Sequence, residues 1–154
     1  MNVKAALSSD DIARACAEAM WKEDDASKGL GMELIEVKPG RATLSMTVQP
    51  QMVNGQRIAH GGFIFTLADS AFAFACNSHN ERTVAAHGNI SFIRPGKLGD
   101  TLVAVAREIS RSGRSGIYDV RVTAGDEVIA EFRGHCRTIG GTWLPASESD
   151  TKKK

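Results

Sequence analysis

The sequence predicts an α+β fold in which an antiparallel sheet of about five to six strands wraps around one long central helix. Three observations predict it. Residues Gly61 to Asn77 are almost wholly apolar and read as one helix. Every segment after that helix alternates apolar and polar residues with a period of two. Too few other helices are available to act as parallel crossovers, so the strands must run antiparallel, mostly joined as hairpins. A helix this apolar has to be buried. Beside an antiparallel sheet, that means being enclosed by it.

Taken in order, Asp10 to Trp21 reads as a short helix capped by Ser9 or Asp10, with Ile12, Ala15, Cys16 and Ala19 on one face. Lys22 to Lys28 is a charged connector. Gly31 to Val37 is a strand, turned by Pro39-Gly40. Arg41 to Val48 alternates cleanly, with Ala42, Leu44, Met46 and Val48 inward. Gln49 to Ile58 is a loop holding Asn54-Gly55. Beyond the long helix, Thr83 to Ile93 carries Val84, Ala86, Gly88, Ile90 and Phe92 on one face and His87, Asn89 and Ser91 on the other. Arg94 to Lys97 interrupts, and Thr101 to Ile109 resumes. Ser110 to Gly116 reads as a Gly/Ser-rich hairpin loop. Tyr118, Val120 and Val122 mark the next strand, and Gly125-Asp126 turns it. Val128, Ala130, Phe132, Gly134 and Cys136 face one way on the last strand, which runs to about Ile139. This plan is the hotdog architecture. It makes residues 1–146 a single domain, followed by a polar tail at 147–154 expected to be disordered.

Composition removes several classes of function. The chain has 154 residues, enough for one domain with one core. Its formal net charge is +1, so bulk electrostatics gives no reason to bind nucleic acid or membrane. The apolar stretch Phe63 to Cys76 is too short to span a bilayer. The first residues show no signal-peptide pattern, so the reading is cytoplasmic. Cys16, Cys76 and Cys136 are an odd, widely spaced set, read as three reduced thiols. His60, His79, His87 and His135 lack ligand spacing, so no metal is expected.

The chemistry concentrates on the long helix. It opens with His60-Gly61-Gly62 and carries one carboxylate, Asp69, in its middle. Asp is a poor residue for a helix interior. An apolar neighbourhood of Phe65, Phe72 and Ala73 would raise its pKa by desolvation. Free N–H groups at the helix start favour a developing oxyanion at Gly61, where no Cβ obstructs approach. A carboxylate plus oxyanion donors is the minimum equipment for attack on an acyl carbonyl. The alternatives are a solvent-facing Asp69 on an amphipathic helix and plain close packing at the two glycines.

These residues sit inside a larger set: Gln51 to Gly55, His60 to Gly62, Thr66 to Ala73, Phe92 to Gly96, Gly99-Asp100, Phe132 to Gly134 and Ile139-Gly140-Gly141. In that set the chain resembles the hotdog acyl-CoA thioesterases of the phenylacetate-degradation (PaaI) type, over nearly its whole length. The resemblance implies hydrolysis of phenylacetyl- or hydroxyphenylacetyl-CoA thioesters to free acid and coenzyme A. It implies Asp69 as general base or nucleophile, Gly61 N–H as the carbonyl's polarising donor, and Asn54 as the group orienting water or nucleophile. His60 would lie beside the carbonyl as a lesser contact. Some relatives place a hydroxyl on the strand facing the nucleophile, where this chain reads Ala85-Ala86-His87-Gly88-Asn89. Glu23 stands where relatives often carry Asn. No cofactor is implied beyond the coenzyme A of the substrate.

Gly62 belongs with Gly61 at the substrate, and Arg94, Lys97, Arg111 and Arg114 lie in loops and at strand ends. They are candidates for the coenzyme phosphates, or else solvated charge. Phe63, Phe65, Phe72 and Phe74 are candidates for the acyl pocket, although several must face the core. Eight residues separate Gly61 from Asp69, about 12 Å along a helix. One helix cannot bring both groups to one carbonyl carbon. Two antiparallel helices related by a two-fold axis can, so a homo-oligomer with sites shared between subunits is expected, with dimers pairing into tetramers as in relatives. Two other functions fit less well. An acyl-thioester dehydratase or hydratase wants a His base opposite a carboxylate. A non-catalytic acyl-CoA-binding module needs no buried Asp.

Overall fold

A computed structural model describes residues 5–146. The tail expectation for 147–154 lies outside the described residues. Helix α1 spans Ser9–Glu23 and α2 spans Asp25–Gly29. Strands β1 (Glu33–Lys38) and β2 (Arg41–Thr47) follow, then a 3-10 turn at Pro50–Met52 and helix α3 (Gly61–Cys76). Strands β3 (Thr83–Phe92), β4 (Thr101–Ser112), β5 (Ser115–Ala124) and β6 (Glu127–Thr138) complete the chain. All strand pairs are antiparallel, in the order β1-β2-β4-β5-β6-β3. The sheet curls around α3, whose Ile64, Leu67, Ala68, Ala71, Phe72 and Phe74 are buried against it. This is the hotdog fold.

The period-two expectations identify the core well. Ala42, Leu44, Met46 and Val48 are buried, as are Tyr118, Val120 and Val122. On β6, Ala130, Phe132 and Cys136 are buried too. Gly134 belongs to the same inward row and lies under the Phe72 ring.

Four expectations need correction. The cap of α1 is Ser8, whose hydroxyl accepts from Asp11 N–H, in place of Ser9 or Asp10. The charged stretch from Lys22 to Lys28 is no mere connector: Asp24 caps Ser27 N–H at 2.9 Å and starts α2 there. The Ser110–Gly116 loop shrinks to the two-residue turn Gly113-Arg114, because Gly113 takes φ 57° and lets Ser112 pair with Ser115. On β3 the alternation breaks at a bulge. Ala85 pairs with Cys136 and His87 with His135, so Ala86 is the extra residue. Below the bulge the phase flips. Val84 pairs with outward Arg137 and is 45 % exposed.

Two features of this frame position the site. Strand β3 pairs only with β6 and leaves its other edge open. The C-terminal end of α3 is fixed by Asn77, which is buried and fully bonded. Its Nδ2 donates to the carbonyls of Ala73 (2.9 Å) and Thr83 (3.0 Å), and its Oδ1 accepts Thr83 N–H at 2.9 Å.

Candidate active site

The start of α3 is built by two interlocked loops. Ala59 N–H donates to Gly96 O at 2.8 Å and His60 N–H to Met52 O at 2.7 Å, which pins the entry to the helix. His60 is the N-cap, and its Nδ1 accepts Gly62 N–H at 2.9 Å. An accepting Nδ1 carries no proton, so the neutral ring holds it on Nε2. The cap therefore consumes the Gly62 donor, whereas Gly61 N–H has no acceptor among the described residues. Gly61 opens onto a cleft of about 440 Å³ that it shares with Asn54, Ile64, Phe92 and Arg94. The Phe92 ring covers it so closely that a Cβ at 61 would lie 2.7 Å from Cζ.

Asn54 belongs to this end of the helix. Its Oδ1 accepts the N–H groups of Gln56 (3.0 Å) and Ile58 (3.3 Å), closing the loop below the cleft. Its Nδ2 has no acceptor among the described residues, so it keeps donors for a ligand.

Asp69 faces a different cavity, of about 370 Å³, lined by Met20, Phe72, Ala73, Cys76, Val84 and Trp143 among others. No hydrogen-bond donor reaches its carboxylate among the described residues. Burial without compensation pushes its pKa up from the ordinary carboxylate value. Cys76 shares the cavity, but its hydrogen bond with Cys136 and its burial push the thiol well up. Such a thiol is no nucleophile at neutral pH. Asp69 is the one carboxylate that lines this cavity among the described residues.

The other expected residues are distributed as follows. Arg94 lines the Gly61 cleft and donates through Nη1 to Val128 O at 3.4 Å. Lys97 lies in the neighbouring loop, where its backbone N–H bonds Asp100 Oδ2 at 2.9 Å. Arg114 is elsewhere, at the β4–β5 turn, with Nη2 on Thr138 O at 3.0 Å. Arg111, on β4, reaches Glu81 at 3.5 Å and Glu108 at 3.7 Å. Of the four phenylalanines, only Phe72 lines the Asp69 cavity. Phe74 packs against Trp21 and Phe65 against Phe132 in the core, and Phe63 lies edge-on to His60. Glu23 ends α1 on the surface. The sequence reading missed Met20, Arg82, Ile139 and Trp143 around Asp69. The one signal for them was the Ile139-Gly-Gly141 motif, which carried no assigned role.

Phe72 also yields a stability prediction. A Cβ on Gly134 would lie 2.7 Å from Phe72 Cε1, and Phe72 is 1 % exposed between Tyr118 and Phe132. Gly134→Ala should cost about 1–3 kcal/mol, read as a lower urea midpoint. The ring's open direction is the Asp69 cavity, so KM should rise as well. An unchanged midpoint and KM would show that the ring has room to spare.

An apolar helix inside a curled antiparallel sheet, with a desolvated carboxylate and an unpaired N–H at its start, defines the hotdog class of thioesterases. The sequence profile of the Thioesterase superfamily matches residues 56–131. The acyl-coenzyme A thioesterase PaaI of Escherichia coli (strain K12) is 44 % identical over 127 residues, 82 % of this chain and 91 % of that protein. A solved structure of the E. coli PaaI protein from the phenylacetic acid degradation operon matches with a TM-score of 0.86 and 42 % identity, covering 88 % of this chain and 99 % of that one. A variant of the phenylacetic acid degradation protein PaaI from Thermus thermophilus matches at 0.72 and 32 % identity, covering 73 % and 97 %. The chain belongs to the thioesterase superfamily, in its PaaI branch, and is a thioester hydrolase.

Proposed function

We propose that this enzyme hydrolyses arylacetyl-CoA thioesters, phenylacetyl- or hydroxyphenylacetyl-CoA, in the breakdown of aromatic acids, at sites shared between two copies of the chain. One observation carries the reading. The two half-sites lie at opposite ends of the open strand β3. Thr83, Val84 and Ala85 border the Asp69 cavity, and Phe92 borders the Gly61 cleft. Antiparallel pairing of β3 with a second copy about an axis near Gly88 sets the Thr83–Ala85 end of one copy beside the Phe92 end of the other, because the two ends lie on either side of Gly88. Each Asp69 cavity then meets the other chain's Gly61 cleft. The edge has apolar surface to bury in doing so: Val84, Phe92, Ile93 and Ile139 are 45–56 % exposed in the single chain. Such dimers pair again into a tetramer in this reading.

The chemistry follows from the two halves. The thioester carbonyl oxygen accepts Gly61 N–H, at the positive end of α3. Asp69 of the other copy takes a proton from water as the water oxygen bonds to the carbonyl carbon. The oxyanion collapses, the C–S bond breaks, and the departing thiolate takes the proton back from Asp69. The second route on the same residues is direct attack by Asp69, with an anhydride that water then opens. Asn54 Nδ2 orients the nucleophile or the carbonyl. No cofactor is needed beyond coenzyme A itself, and the reading places the enzyme in the cytoplasm. Free thiol release from a panel of acyl-CoAs, read beside absorbance for enoyl formation, tests it. Thiol release strongest for arylacetyl-CoA is expected. Enoyl formation without thiol release would mean dehydratase chemistry, and neither signal would mean a binding module.

Arg94 and Lys97 are assigned to the coenzyme, away from the carbonyl. Arg94→Ala and Lys97→Ala should raise KM for full CoA thioesters more than they lower kcat. A pantetheine thioester lacks the nucleotide phosphates and should barely respond. Equal damage to both substrates would remove these residues from the coenzyme site.

A further inference from the structure

We infer that the segment Ile139–Leu144 closes the far end of the acyl cavity, with Trp143 as its end wall, so that the enzyme takes aryl and short acyl groups and excludes long chains. The inference rests on the thioesterase reading above and deepens it.

The Asp69 cavity has a direction. Asp69, Phe72, Ala73 and Cys76 recur at helical spacing on one face of α3, and the lining continues to Asn77. From Asp69 to Asn77 the helix advances about 12 Å. An acyl group whose carbonyl meets Asp69 therefore lies along the C-terminal half of α3 and points at Asn77. Trp143 stands there. Its Nε1 donates to Asn77 Oδ1 at 2.8 Å, and Asn77 cannot yield, because it is 2 % exposed with every other polar position bonded.

The rest of the segment is held as firmly. After β6 the chain folds back through Gly140 and Gly141, at φ 86° and 89°, conformations that L side chains rarely adopt. That gives the Ile139-Gly-Gly141 motif its physical reason. Ile139 N–H donates to Arg82 O at 2.9 Å and Arg82 N–H to Gly141 O at 3.0 Å. Asn80 Oδ1 accepts the N–H groups of both Trp143 and Leu144 at 3.0 Å. The Arg82 guanidinium lies 4.1 Å over the indole, and its Nε donates to Thr142 O at 3.1 Å. An indole fixed on its edge, its face and its backbone acts as a wall, not a flap.

An extended acyl chain gains roughly 1.3 Å per carbon from C–C bond geometry, so about 12 Å is spent within some nine carbons. A phenylacetyl group fits inside that depth, and its ring meets an aromatic end wall.

The test compares kcat/KM for phenylacetyl-, hexanoyl- and dodecanoyl-CoA. Wild type should prefer the first two strongly. Trp143→Ala should raise the dodecanoyl-to-phenylacetyl ratio at least about tenfold, and Trp143→Phe, which keeps most of the bulk, should leave it near wild type. A folded Trp143→Ala enzyme with an unchanged ratio overturns the inference, as does a wild type that favours dodecanoyl-CoA. Should Trp143→Ala fail to fold, fluorescence decides. The chain has two tryptophans, so in a Trp21→Phe, Asp69→Asn protein only Trp143 emits and no turnover intervenes. Phenylacetyl-CoA should change its emission and free CoA should not. Identical spectra with both ligands overturn the wall. Wild type that releases thiol from no acyl-CoA fails the thioesterase reading, and the fluorescence titration still reports on the wall.

Discussion

Replacing Asp69 by Asn is expected to abolish hydrolysis and, at neutral pH, to raise thermal stability. The substitution keeps the shape and removes both basicity and nucleophilicity. Turnover should fall by about 10³-fold, the usual scale for loss of a central acid–base group or nucleophile. The stability gain follows from the same burial that tunes the group. Desolvation raises the folded-state pKa of Asp69 above its unfolded value. The folded chain therefore holds its proton more tightly, and wild-type stability falls as pH rises from the ordinary carboxylate value through the raised one. Above that window the penalty is complete, and Asn does not incur it. Below the ordinary value both proteins carry a neutral side chain and their melting temperatures should converge. Turnover of the Asn variant within tenfold of wild type would end the assigned role. A variant no more stable at pH 7 would mean that water or a partner group solvates the carboxylate in the assembled enzyme.

Mixing two dead enzymes is expected to restore about a quarter of wild-type activity. Asp69→Asn removes the base. Gly61→Pro removes the N–H donor at a position that tolerates Pro, since Gly61 is the first helical residue and His60 already has the extended backbone, ψ 131°, that a following Pro requires. The Pro ring must displace the Phe92 side chain, whose Cζ would lie 2.7 Å from a Cβ at 61, so the variant's pairing is checked along with its fold. In a shared-site dimer of one copy of each, one site is intact and the other doubly damaged. Random re-pairing of equal amounts makes about half the dimers mixed, hence the quarter. If both groups came from one chain, every site in the mixture would still lack one of them and activity would stay at zero. That result would overturn the shared site, provided circular dichroism shows Gly61→Pro folded and cross-linking shows mixed dimers.

The parts of this fold legible in the sequence are those set by local period. The apolar run of α3 and the alternation of β2 and β5 identified Leu44, Met46, Tyr118 and Val120 as core, because a side chain's face follows directly from helix or strand geometry. Where local signals compete, tertiary context decided. The Gly/Ser composition of Ser110 to Gly116 suggested a loop, yet β4 and β5 pair down to Ser112 and Ser115, because ladder hydrogen bonds outweigh weak propensity. The bulge at Ala86 turned Val84 outward, and nothing in the spacing of β3 announces it.

The same division runs through the site. The sequence by itself determined that the chain carries one carboxylate in an apolar helix, a donor-rich glycine start, and a separation too long for one helix to close. Only the tertiary structure decided that Asp69 and Gly61 open onto two cavities at opposite ends of strand β3, whose outer edge is open. It alone gathered Met20, Arg82 and Trp143 around the carboxylate. Those residues lie far from Asp69 along the chain, and no periodicity links them. They meet because the curled sheet brings the start of β3 and the segment after β6 against the end of α3, where Met20 of α1 also packs, and proximity of that kind is a property of the closed fold, not of any local stretch.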